Sequence, residues 1–215
     1  MKSTLQTLRA LAAVTILGSC AAQAAIIFDN FGPGDATAVS GRIVQGPDVG
    51  TVGDVDQAVR ITLDGGAQVI LSSLTMAVAA VQGGDGSLIL QIRNDIAGAP
   101  GDIVYQLAKA VTHGSPTFFT ILPMIGPLDS GTYWFIANGS NTFDGSWAFN
   151  STGDQGITAG RTNGNPWNVR PIEDRYAIRL EGRYVNPVPE PSSMLQLGGG
   201  AIALILFARK WRLAR

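Results

Sequence analysis

Three stretches of the chain carry a large apolar residue at every second position. Val59, Ile61 and Leu63 alternate with Arg60, Thr62 and Asp64. Leu88, Leu90 and Ile92 are spaced by Ser87, Gln91 and Arg93. Tyr176, Ile178 and Leu180 are spaced by Arg175, Arg179 and Glu181. A period of two puts every apolar side chain on one face of a strand, whereas a helix would scatter them around its circumference. The supply of surface residues points the same way. Only three Glu and three Lys occur in 215 residues, against 13 Asp and 27 Gly. Helix surfaces draw on Glu and Lys, and Gly and Asp serve turns. A helix bundle and a coiled coil are excluded, and an apolar content of 46% excludes a disordered chain.

Further strand candidates are Ile26–Phe31, Val69–Val78, Ile103–Val111, Thr117–Leu122, Thr132–Ala137 and Ser146–Asn150. Turn residues fall between them: Asp64-Gly65-Gly66, Gly83-Gly84-Asp85-Gly86, Ala99-Pro100-Gly101, Ser130-Gly131 and Asn163-Gly164-Asn165-Pro166. Val69–Val78 contains the helix formers Leu, Met and Ala, but no helix cap or Glu/Lys face accompanies it, so the expectation is a strand. About nine strands at this spacing predict an all-β fold, an antiparallel β-sandwich of the jelly-roll kind. Leu88, Leu90, Ile178 and Leu180 are expected in its core.

The two ends of the chain read as addresses. Lys2 and Arg9 precede a short apolar run, Ala10–Gly18, and Ala22-Gln23-Ala24 supplies the small residues of a cleavage site before Ala25. Residues 1–24 are thus expected to be a signal peptide. Leu17-Gly18-Ser19-Cys20 also resembles a bacterial lipobox, in which Cys20 is lipidated. At the other end, Val188-Pro189-Glu190-Pro191-Ser192-Ser193 leads into an apolar run, Met194–Ala208, and then the basic tail Arg209, Lys210, Arg212 and Arg215. Fifteen helical residues reach roughly 22 Å, short of the ~30 Å hydrocarbon core. The expectation is a single transmembrane helix over 194–208 that works as a transient anchor, its basic tail cytoplasmic. The domain plan is therefore 1–24 signal, 25–185 body and 186–215 sorting signal.

The order Pro189-Glu190-Pro191, apolar segment, Arg-rich end resembles the PEP-CTERM sorting signal of Gram-negative bacteria. The resemblance implies processing by exosortase, a membrane protease-transpeptidase, and delivery to the cell surface or an exopolysaccharide matrix. The body resembles the choice-of-anchor extracellular domains through Val69–Thr75, the turn Asn94–Gly101 and Leu128–Trp134. That resemblance implies a secreted β-sandwich and carries over no catalytic residue.

The body itself offers little chemistry. Between Ala25 and Val188 stand nine basic and fifteen acidic residues. This balance argues against nucleic acid as a partner, because phosphate backbones need a basic footprint. His113 is the only histidine, in a loop-like stretch without a nucleophile elbow, and Cys20 is the only cysteine. A catalytic triad and a thiolate zinc site are therefore not expected, and the chain reads as non-enzymatic. No cofactor is implied, although Asp-rich turns are also suited to a structural calcium.

The tryptophans divide by context. Trp134 lies in the apolar run Tyr133-Trp134-Phe135-Ile136 and is expected in the core, and Trp147 is placed to face either way. Trp167 sits in the polar stretch Asn163–Asn168. There it either folds back as a lid on the sandwich or stacks on a sugar ring while Asn165 and Asn168 read hydroxyl groups. The expected role is structural or adhesive, with carbohydrate binding by Trp167, Asn165 and Asn168 as the alternative.

Overall fold

The computed structural model describes residues 24–50, 53–64, 67–82, 86–110, 114–121 and 124–185. Residues 1–23 of the expected signal peptide with Cys20, Gly83–Asp85, His113, and the expected transmembrane helix and sorting signal from residue 186 onward lie outside the described residues. All regular structure among the described residues is β. The first six strands are β1 (Ala25–Asp29), β2 (Thr37–Gln45), β3 (Val55–Leu63), β4 (Gln68–Gln82), β5 (Ser87–Ile96) and β6 (Ala99–Ala110). They are followed by β7 (Gly114–Ile121), β8 (Ile125–Leu128), β9 (Gly131–Gly139) and β10 (Asp144–Asn150). The last three are β11 (Gln155–Thr162), β12 (Asn168–Asp174) and β13 (Ile178–Val185).

Every pairing is antiparallel, and the strands form one hydrogen-bonded network folded onto itself. One layer runs β1-β13-β4-β7 and the other β3-β9-β5-β6. In the first layer the first and last strands of the body, β1 and β13, thus lie side by side. β10 and β2 extend the first layer beside the far half of β4, and a single pair, Gln45 with Val55, links β2 to β3. β11 and β12 form a hairpin added to the free edge of β3.

The main core lies between the layers. Val59 and Ile61 of β3, Leu88, Leu90 and Ile92 of β5, and Phe135 of β9 face Leu74, Met76 and Val78 of β4, Trp147 of β10, and Ile178 and Leu180 of β13. All three stretches with apolar residues at every second position therefore supply core, as their pattern predicts. Leu90 has no exposed surface. A Leu90→Ala change should cost on the order of 3 kcal/mol through lost transfer energy plus a cavity. Urea unfolding measures this, and a change near zero would place Leu90 outside the core. A second cluster, Ala58, Trp134, Ile136 and Ala159, lies on the opposite face of β3 and β9, where the added hairpin brings Ile157, Trp167 and Val169 against it.

Several expectations need correction. There are thirteen strands among the described residues, not about nine, because β2, β8, β11 and β12 bury too few apolar residues to alternate visibly. The turn expected over Asn94–Gly101 shrinks to Ala97-Gly98. Both residues have positive φ, 52° and 84°, which matches the twist of flanking strands. Ala99-Pro100-Gly101 opens β6 instead of forming a turn, and Pro100 is tolerated because β6 is an edge strand. Tyr176 makes only an isolated bridge to Phe149 before β13 begins at Ile178. Asn168 is the first residue of β12, not part of the loop.

Candidate functional site: a polar cleft at the pole away from the chain ends

The strand registers fix where the body's ends emerge. Ala25 opens β1 opposite Gly182, and β13 ends at Val185 opposite Gln68, the first residue of β4. Both ends of the body therefore lie at one pole. At the other pole Asp144 pairs with both Gln82 and Gln45, Gln45 meets Val55, and Val55 pairs with Thr162. The turn between β11 and β12 sits there. Asn163 (φ 54°) and Gly164 (φ 68°) make it, as an Asn-Gly pair with left-handed backbone does. It is tied down by Asn163 N–H donating to the Asp54 carbonyl at 2.8 Å and Asp54 N–H donating to Asn163 Oδ1 at 3.1 Å.

Beside this turn a cleft of about 350 Å³ opens. Its polar lining is Gln57 from β3, Arg161 and Thr162 from β11, and Asn165, Asn168 and Arg170 from the turn and β12. Val55, Pro166 and Gly160 complete it, so no carboxylate lines the cleft. Carboxylates stand behind it. Asp56 is fully buried and accepts a hydrogen bond from Arg161 Nε at 2.5 Å. Burial pushes the Asp56 carboxyl up to about 6, against the opposing pull of Arg161. Glu173 lies 3.1 Å from Arg170 Nε and also accepts from Thr158 and Arg42. Burial raises the Glu173 carboxyl, but these donors outweigh it and hold the group below its ordinary value.

Arg170 is locked in place. Its Nη2 donates to Gln57 Oε1 at 2.9 Å and to the Tyr176 hydroxyl at 3.2 Å, while that hydroxyl donates to Gln57 Oε1 at 2.7 Å. Gln57 Nε2 in turn donates to the Ile43 carbonyl at 3.0 Å. Burial drives the Tyr176 phenol upward, so it stays a neutral donor. This network presents rigid donors and amides to a ligand and holds no polarised nucleophile.

The structure does not bring the three residues expected to bind sugar into one lining. Asn165 and Asn168 line the cleft, both exposed. Trp167 lies outside the lining, half-buried against the second cluster, with the Arg161 guanidinium 4.6 Å from its ring centroid. Its contacts are those of the lid. Gln57, Arg161 and Arg170 carried no signal in the sequence, because only the pairing of β3, β11 and β12 brings them together. Trp134 and Trp147 are both fully buried. Among the described residues, no group of three or more His, Cys, Asp or Glu side chains is placed to hold a metal ion. Nor does any helix among them have the length and apolar character to cross a membrane.

Comparison with known proteins separates the body from the segment beyond β13. No curated protein and no solved structure matches the chain. Residues 187–210 match the family described as the PEP-CTERM protein-sorting motif. The match begins two residues after β13 ends and covers Pro189, Glu190 and Pro191. The chain is therefore an all-β body followed directly by a PEP-CTERM protein-sorting motif, the mark of an exported substrate of exosortase.

Proposed function

We propose that the protein is a non-enzymatic component of the cell surface or exopolysaccharide matrix of a Gram-negative bacterium, with a structural or adhesive role. The observation that carries this reading is the position of the sorting motif, starting at residue 187 immediately beyond the last strand. The chain crosses the inner membrane behind its signal peptide, which is removed before Ala25. That cleavage point coincides with the first residue of β1, so removal leaves the sheet whole. Translocation halts at residues 194–208, and Arg209, Lys210, Arg212 and Arg215 stay in the cytoplasm because cations are costly to move through hydrocarbon. Exosortase then cuts near Pro189-Glu190-Pro191 and passes the body to a surface acceptor.

The mature protein should lack both ends in its native host. Mass spectrometry of the surface fraction is the measurement, and an intact C-terminal peptide ending at Arg215 on most molecules would leave only a membrane anchor. Glu190→Ala should make the uncleaved form accumulate at the inner membrane. Normal processing of that variant would show that the enzyme reads something else.

A second reading, a carbohydrate-binding module, is supported by the cleft that Asn165 and Asn168 share with Gln57 and Arg170. Fixed amides and guanidinium groups suit hydroxyl recognition, and the cleft lies at the pole away from the sorting signal.

A further inference from the structure

We propose that the cleft at the β11–β12 turn binds an acidic polysaccharide, gripping a sugar carboxylate between Arg161 and Arg170 while Asn165 and Asn168 read neighbouring hydroxyls. The proposal rests on the carbohydrate-binding reading and names its ligand class. Three observations support it. The cleft is lined by two arginines and no Asp or Glu. Arg161 directs its Nε to Asp56, and its two Nη nitrogens make no hydrogen bond among the described residues. A guanidinium held by one edge in this way presents a fork of donors that matches a carboxylate. Finally, the body as a whole carries fifteen acidic residues against nine basic ones. An anionic polymer is repelled by most of that surface, and a lining of arginines and amides without a carboxylate is where it can approach.

The arginines themselves are preorganised. Asp56 behind Arg161 and the Gln57–Tyr176 pair behind Arg170 hold each side chain before any ligand arrives, so little rotamer freedom is lost on binding. The ring of Trp167 supports Arg161 from the side instead of stacking on sugar.

The test is affinity electrophoresis of the full chain, purified in detergent, in native gels containing polygalacturonate or neutral dextran. Retardation by polygalacturonate, absent with dextran and lost as salt is raised, is the expected result. The double variant Asn165→Ala/Asn168→Ala alters two exposed side chains and should weaken retardation about tenfold with an unchanged melting temperature. Arg161→Lys keeps a charge beside Asp56 but removes the fork, and should weaken it as well. Retardation by dextran equal to that by polygalacturonate would overturn the acidic ligand and leave the carbohydrate reading standing. No retardation by either polymer would remove both. Retardation by polygalacturonate that neither variant changes would move the site away from this cleft.

Discussion

Replacing Trp147 by Ala is expected to lower stability by on the order of 3–5 kcal/mol. The indole has no exposed surface. It stacks on Tyr176 with ring centroids 4.7 Å apart, and Tyr176 stacks in turn on Phe149 at 5.4 Å. Its Nε1 donates to the Ala177 carbonyl at 3.0 Å, so truncation leaves a cavity and also removes one of the two hydrogen bonds to that carbonyl, the other coming from Ala77 N–H at 3.3 Å. Trp147 pairs with Val78 of β4 on one side and Arg42 of β2 on the other. The loss is therefore felt where three strands of one layer meet. Urea unfolding of the variant against the parent measures it. Trp147→Phe should recover part of the packing but not the hydrogen bond. A loss below about 1 kcal/mol for the Ala variant would contradict the burial.

The second large effect depends on pH. Arg161→Ala removes the partner of a fully buried carboxylate, and at pH 7.5 it should cost about 3–5 kcal/mol. The Asp56 carboxyl titrates at about 6 in the fold, against an ordinary value of 3.8. Burial raises it most and the Asp54 charge adds to the rise, while Arg161 and Arg93 oppose it. The folded state therefore binds a proton more readily than the unfolded chain between these two values. By linkage this group's contribution to stability grows as pH falls through 6 and levels off below 3.8, a gain of about 3 kcal/mol at most. At pH 5 the carboxyl is largely neutral, so the Arg161→Ala loss should shrink there. Asp56→Asn should abolish the acid-side gain. Equal losses for Arg161→Ala at pH 7.5 and pH 5 would show that Asp56 is not the group left stranded.

The legible part of the fold was the part where one strand face is buried and the other is wet. β5 and β13 alternate for this reason, as does the C-terminal half of β3. β4 was harder to read, and its register explains why. Glu181 of β13 lies opposite Ser73, but the next residue, Gly182, lies opposite Leu71. Ser72 is thus the extra residue of a bulge, and the buried set slips from Val69 and Leu71 to Leu74, Met76 and Val78. A slip of one residue turns a two-fold pattern into something close to helical spacing. Gly182 makes the bulge feasible, because a Cβ there would lie 2.3 Å from the Ile70 carbonyl oxygen. β12 left no trace for the opposite reason, with Ile172 78% exposed and no fully buried side chain in the strand.

The candidate site was legible only where it is local. Asn165 and Asn168 stand in and beside one turn, and polar turn residues next to a tryptophan were visible. Arg170 and Gln57 are 113 residues apart, and their hydrogen bond depends on β11 pairing with β3, which no local pattern encodes. The sorting motif was readable in full because its signal lies in the order of neighbouring residues and not in long-range pairing.

The place of β13 in the first layer sets a clock on export. It is the last strand to emerge, yet it lies between β1, the first, and β4, with hydrogen bonds to both. Until residues 178–185 have crossed, β1 has no neighbour and the inner edge of β4 stays bare. The body can close only once the residues just before the sorting motif are in place. A chain truncated before residue 178 would leave β1 and that edge of β4 unpaired. Closure of the first layer thus waits on the last eight residues of the body, which directly precede the sorting motif.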